Sequence, residues 1–247
     1  MSTPTPDRVA IVTGASGGIG RAVAERLAAD GFAVVAHYAG NEQRAKETVE
    51  AITGSGGTAV AVPGDVADEH DVGALFDEAE RRFGGVDAVV HTAGIMLLAP
   101  LAEARFDDLD RMLRTNVRGT LAVAQQAARR VRRGGAIVTF SSTVVRLALP
   151  TYAGYAASKG AVDAMTLVLA KELRGRDVTV NAVAPGPTAT PLFLEGKDEE
   201  TVARMAALPP LERLGTPTDI AAAVSFLTGP DGRWVNGQVL APNGGIA

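Results

Sequence analysis

The sequence predicts an α/β fold with a doubly wound, seven-stranded parallel sheet and helices on both faces. Two observations carry that expectation. Seven short β-rich apolar runs alternate with six longer helical patterns along the chain. The first strand, a glycine-rich turn, a helix and the second strand together have the length of a nucleotide-binding βαβ unit. At 247 residues and 47% hydrophobic content the chain can bury one large core, and a single domain over 1–247 is expected.

The expected strands are 8–13, 32–38, 58–62, 86–91, 136–141, 178–184 and 238–240. The helices between them start after the glycine turn, near 41, at 69, near 106, around Tyr155 and at 218, and the fourth runs to about 131. Residues 187–216 read as one long irregular segment, too long for an idle connection, and are expected to form a flap over a substrate.

Composition excludes several classes. The net charge of −4, with Lys and Arg scattered except at Arg129-Arg130 and Arg132-Arg133, argues against nucleic acid as a partner. That arginine cluster ends a long helix, where positive charge suits the helix dipole. There are no cysteines, and His37, His70 and His91 are far apart, so no metal is expected. The polar, Pro-rich start Met1–Asp7 and the lack of any long apolar run lead to the expectation of a cytoplasmic protein without a membrane segment.

The chemistry concentrates at Tyr155-Ala156-Ala157-Ser158-Lys159, thirteen residues after Ser142. On a helix, Lys159 lies one turn beyond Tyr155 on the same face, so amine and phenol project into one pocket. A nearby cation favours the phenolate and is expected to bring the phenol from about 10 toward a useful acid/base range. Ser142, at a strand end, can donate to the same carbonyl oxygen. That set suits reduction of a ketone or oxidation of an alcohol. Asn116 and Gly119 interrupt an otherwise good helix, a local conflict typical of functional positions, and a widened turn there would expose a carbonyl to hold a water behind Lys159. Tyr152 has Ala156 four residues on and so lacks a cationic partner.

The remaining motifs fit a dinucleotide. Gly14, Gly18 and Gly20, with Ser16 and Ile19 in the same turn, allow a pyrophosphate close to a helix N-terminus. At the end of the second strand, where an acid would hold the ribose hydroxyls of NAD, stands Tyr38, followed by Ala39-Gly40-Asn41. NADP(H) is therefore expected in preference to NAD(H), with Tyr38, Asn41 and Arg44 near the phosphate; the plainer alternative has Tyr38 packing on the adenine. Asp65 and Val66 are candidates for the adenine, with helix capping as the rival role for Asp65. Ala93-Gly94 lets a cofactor ring approach, and Pro185, Gly186, Thr188 and Thr190 offer rigid backbone and hydroxyls for a nicotinamide carboxamide. Met96, Leu97, Leu98, Val144, Val145, Leu192 and Phe193 are expected to make the substrate pocket apolar.

Taken together, these residues closely resemble the short-chain dehydrogenase/reductase family in its single-domain, Rossmann-fold form, over essentially the whole chain. The resemblance implies a catalytic tetrad of Asn116, Ser142, Tyr155 and Lys159, with tyrosine as general acid in reduction, lysine also binding the nicotinamide ribose, serine polarising the carbonyl and asparagine holding a relay water. It also implies a homotetramer, or a homodimer, built through the two long helices. His91-Thr92-Ala93-Gly94 departs from the family's frequent Asn-Asn-Ala-Gly, which puts bracing of the central sheet in question. The expected activity is that of an NADPH-dependent carbonyl reductase or alcohol dehydrogenase. A 3-oxoacyl-carrier-protein reductase is the nearest enzyme alternative, and a non-catalytic cofactor-binding regulator or scaffold is the alternative of another class.

Overall fold

The computed structural model describes residues 8–247; the polar start Met1–Asp7 lies outside the described residues. Seven parallel strands are β1 (Arg8–Thr13), β2 (Phe32–Tyr38), β3 (Thr58–Pro63), β4 (Val86–His91), β5 (Val131–Phe140), β6 (Thr179–Val183) and β7 (Val239–Leu240). They form one sheet in the order β3-β2-β1-β4-β5-β6-β7. The main helices are α1 (Gly18–Ala29), α2 (Glu42–Gly54), α3 (Glu69–Phe83), α4 (Phe106–Leu113), α5 (Gly119–Arg130), α7 (Ala153–Glu172) and α10 (Pro217–Thr228), with short α6 (Val144–Leu147), α8 (Pro191–Leu194) and α9 (Glu199–Ala207) between them.

The sheet is covered on both faces, and β1, β2 and β6 are accordingly buried almost throughout. Alternate residues feed two cores. Ile11, Val35, Val89, Ile137 and Val180 pack with Leu75 and Phe76 of α3, Val123 of α5 and Leu169 of α7. Val12, Val34, Val90 and Val138 pack on the other face with Leu27 of α1, Ile52 of α2 and Ile220 and Val224 of α10.

Helix boundaries follow local chemistry. Asp68 caps α3 by accepting from the amides of His70 and Asp71, and Gly84 closes that helix in the left-handed conformation at φ 85°. Thr216 and Asp219 form a reciprocal capping box ahead of α10. The long fourth helix is continuous from α4 into α5, but through a π-helical turn, Arg114–Arg118, so the expected widening is present.

The segment 187–216 is not one irregular excursion. It contains α8, capped by Thr190, and α9, capped by Asp198. The sequence signal for α8 was hidden because Pro191, which sits in its first turn, reads equally well as loop. The Arg cluster is largely consumed: Arg130 pairs with Asp77 and Glu80, Arg132 with Asp87 and Arg133 with Asp177.

Candidate active site

The strand order reverses between β1 and β4, and a doubly wound sheet opens its ligand cleft beyond the strand ends at that point. Gly14 and Gly18 adopt left-handed φ values of 69° and 53°, which favour glycine. A Cβ on Gly20 would stand 2.2 Å from the Gly14 carbonyl oxygen, so α1 begins hard against the turn. No side chain caps the first turn of α1, and its amides remain free to bind an anion. From Ile19 on this turn a cavity of about 140 Å³ runs past Thr92 and Gly94 to Tyr155 and Lys159, walled on the far side by Thr188, Thr190, Leu192 and Phe193. Glycine cradle, open helix end and the cavity beside them fit the pyrophosphate and nicotinamide portions of a dinucleotide.

α7 carries Tyr155 and Lys159, β5 leads into Ser142, and the π turn carries Asn116. The Lys159 side chain is buried, donates a 2.8 Å hydrogen bond from Nζ to the Phe140 carbonyl and lies 5.7 Å from the Tyr155 ring centroid. Ser142 and Tyr155 line the same cavity, with Ser142 Oγ also accepting from the Val144 amide at 3.4 Å. Asn116 is fully buried, and its side-chain amide clamps Ile95 by accepting from its N–H and donating to its carbonyl, each at 2.9 Å. It also donates to Ser158 Oγ at 3.1 Å, while its backbone carbonyl accepts from Thr120 Oγ1 at 2.5 Å. Ser142, Tyr155 and Lys159 thus line one cavity, and Asn116 fixes the Gly94-Ile95 loop to α7 beside it.

The electrostatics differ from expectation. Burial pushes the Tyr155 phenol up to about 12, and the nearby Ser142 hydroxyl opposes this without overcoming it. Burial also pushes Lys159 down to about 8, with Asp163 pulling the other way. Desolvation therefore sets the direction of the phenol's shift, and the expected pull of the amine does not offset it.

The other residues singled out in the sequence divide. Pro185, Gly186, Thr188 and Thr190 line the cavity with Gly94. Ala93 packs its backbone against Gly14, where a Cβ would lie 3.0 Å away, and donates its N–H to Thr13 Oγ1 at 3.2 Å. Asp65 spends one oxygen on the Ala67 amide at 2.9 Å and the other on Arg114 at 2.6 Å, so its carboxylate is committed within the protein. Val66 is buried against Gly119. Asn41 caps α2 through the Arg44 amide, while Ser16 and Tyr38 are partly exposed at the cleft end of β1 and β2. His91 supplies the bracing that its departure from Asn put in question: its Nδ1 pairs with Thr13 Oγ1 at 2.9 Å across β1 and β4.

Of the expected pocket residues, Met96, Val144, Leu192 and Phe193 line the cavity, whereas Leu97 and Leu98 line a separate surface hollow. Leu147, Leu149, Met205 and Tyr152 were missed. For Tyr152 a signal existed: three residues before Tyr155, it shares a helix face with it. Their rings pack edge-on with centroids 6.4 Å apart.

Fold and cleft define a nicotinamide-dinucleotide oxidoreductase. A family model described as Enoyl-(Acyl carrier protein) reductase matches residues 14–247. A Picea abies protein named short-chain type dehydrogenase/reductase is 44% identical, covering 96% of this chain and 92% of its own length. An Arabidopsis thaliana NADPH-dependent aldehyde reductase-like protein, chloroplastic, is 40% identical over 98% of this chain and 95% of its own. A short chain dehydrogenase from Burkholderia cenocepacia, solved in complex with NADP, matches at a TM-score of 0.92 and 37% identity, covering 99% of each chain. The chain belongs to the short-chain dehydrogenase/reductase family, and it is an oxidoreductase acting between a carbonyl and its alcohol.

Proposed function

We propose that this enzyme is an NADP(H)-preferring reductase of neutral, largely apolar ketones or aldehydes, with Asn116, Ser142, Tyr155 and Lys159 as its catalytic set. The observation that carries the reading is the meeting of the Tyr155 phenol, the Ser142 hydroxyl and the Lys159 amine on one cavity wall. The nicotinamide, when bound, supplies or accepts the hydride. Ser142 donates a hydrogen bond to the carbonyl oxygen, and Tyr155 gives that oxygen its proton. Lys159, when charged, stabilises the phenolate left behind. Asn116 keeps the Gly94-Ile95 loop in register with α7, so the cleft floor does not shift. Among the described residues no charged side chain other than Lys159 lines the cavity, so an anionic substrate would be stripped of water with no other charge to pair with.

Preference for NADP(H) is supported by Tyr38 in place of an acid at the end of β2 and by the printed names of the Arabidopsis and Burkholderia proteins. A homotetramer is supported by exposed Leu121 on α5 and Leu167 and Val168 on α7, and a cytoplasmic setting remains part of the proposal. No helix among the described residues is long and apolar enough to cross a membrane. The family model's description favours acyl-carrier substrates as a second reading, but three of the four arginines that would greet an acidic carrier, Arg130, Arg132 and Arg133, already face acids of this chain. Turnover of an acyl-carrier thioester against the free ketone decides between them. For the main reading, Tyr155→Phe is expected to lower kcat by about a hundredfold or more while NADPH still binds, as read by nucleotide fluorescence. Retained turnover sinks the assignment.

A further inference from the structure

Besides the hydroxyls that the reaction uses, one hydroxyl among the described residues of the cavity wall has no hydrogen-bond partner. Thr92 donates to the Thr13 carbonyl, Thr143 to the Ala184 carbonyl and Thr188 to the Gly186 carbonyl, at 2.5, 2.9 and 2.9 Å. Ser141 turns its hydroxyl to the Lys159 carbonyl, while Thr190 accepts from the Phe193 amide and Ser142 from the Val144 amide. Tyr152 also lines this cavity, yet among the described residues its phenol has no hydrogen-bond partner. Burial raises it, with nothing to offset the rise.

Its placement is also held under strain. Ala148 and Thr151, both carrying side chains, take left-handed φ values of 50° and 72° in the turn that delivers Tyr152. The Tyr152 amide is tied back to the Leu149 carbonyl at 3.3 Å, and its own carbonyl accepts the Ala156 amide at 2.7 Å, opening α7. The ring then stands edge-on beside Tyr155, at an interplanar angle of 66°. Two adjacent tyrosines therefore line one cavity, together with the apolar Met96, Val144, Leu147, Leu149, Phe193 and Met205.

We infer that Tyr152 is a specificity residue that donates a hydrogen bond to a second, uncharged oxygen of the substrate, so that the preferred substrates are apolar ring ketones carrying another carbonyl, ether or hydroxyl about one ring away from the reacting carbonyl. This rests on the proposed reductase reading and names its substrate class. The physical reason is an asymmetry. A monofunctional ketone leaves a half-buried phenol without a partner, whereas a doubly oxygenated one satisfies it.

The test compares cyclohexane-1,4-dione with 4-methylcyclohexanone, which puts a methyl group where the dione has its second oxygen. For the wild type, kcat/KM is expected to be higher for the dione. Tyr152→Phe removes only the hydroxyl and is expected to lower the ratio of the two kcat/KM values by about fivefold or more, one hydrogen bond's worth. NADPH affinity, measured in parallel, reports that the variant is folded. An unchanged ratio, or no preference in the wild type, overturns the inference. Failure of the reductase reading looks different: neither ketone is reduced by the wild type. The same comparison is then made on ketone Kd in the presence of NADP, where a ratio that Tyr152→Phe does not lower again overturns the inference and a lowered ratio upholds it.

Discussion

A phenol at about 12 and an amine at about 8 set the terms of catalysis. Below about 8 Lys159 is charged and can stabilise the phenolate formed when Tyr155 gives up its proton; above that value it is neutral and the transfer becomes harder. Reduction is thus expected to lose kcat as pH rises through about 8. Asp163, one turn beyond Lys159 on α7, raises the Lys159 value. Asp163→Asn is therefore expected to move this alkaline limb to lower pH, which a kcat profile over buffers of constant ionic strength will show. Tyr38 raises a separate question. Tyr38→Asp introduces a charge that repels a 2′-phosphate, and the ratio of kcat/KM for NADPH over NADH is expected to fall by about tenfold or more. If the ratio does not move, Tyr38 does not face the ribose.

Elements bring these residues together, and the first turn is the tightest of them. With Gly14 O 2.2 Å and Thr92 Oγ1 2.6 Å from a Cβ built on Gly20, Gly20→Ala must push α1 away from β1. We expect a loss of about 1–3 kcal/mol in urea unfolding, together with weaker NADPH binding. Gly73 offers the opposite sign. It lies within α3 with nothing within 4 Å of a Cβ, so Gly73→Ala should gain roughly 0.5–1 kcal/mol in the same measurement. The π turn at Arg114–Arg118 was legible because Asn and Gly are poor residues inside a helix. What Asn116 does there was not, since its partners Ile95 and Ser158 lie 21 and 42 residues away. The helices of segment 187–216 were hidden for a related reason: α8 and α9 are short, so they carry too few turns to show a periodic pattern.

At the scale of the molecule, acid stability is concentrated near the middle of the sheet. His91 is buried between β1 and β5, its Nε2 has no partner among the described residues, and burial beside Lys159 pushes it to about 3. A folded value below the unfolded one, near 6.5, means that its contribution is complete above about pH 6.5 and is lost as pH falls toward 3. Between pH 6.5 and 5 that amounts to about 2 kcal/mol, at about 1.4 kcal/mol per pH unit. His91→Asn is expected to flatten this part of the profile in urea unfolding at pH 7 and pH 5. His37 is also lowered by burial and will leave a residual slope.

Seven strands, the six principal helical stretches, the glycine turn and the Tyr155–Lys159 pair could all be read directly from the chain, because each depends on residues a few positions apart: apolar period, capping chemistry, one turn of a helix. Three things needed the tertiary structure. Burial from both faces of the sheet sets the proton affinities of Tyr155, Lys159 and His91, and against it the local Tyr-Lys spacing argued in the wrong direction. Contacts across the fold commit Asp65 to Arg114 and the arginine cluster to acids on other elements. Tyr152 joins the cavity wall only because a strained turn aims it there, and desolvation and long-range packing of this kind have no sequence period to betray them.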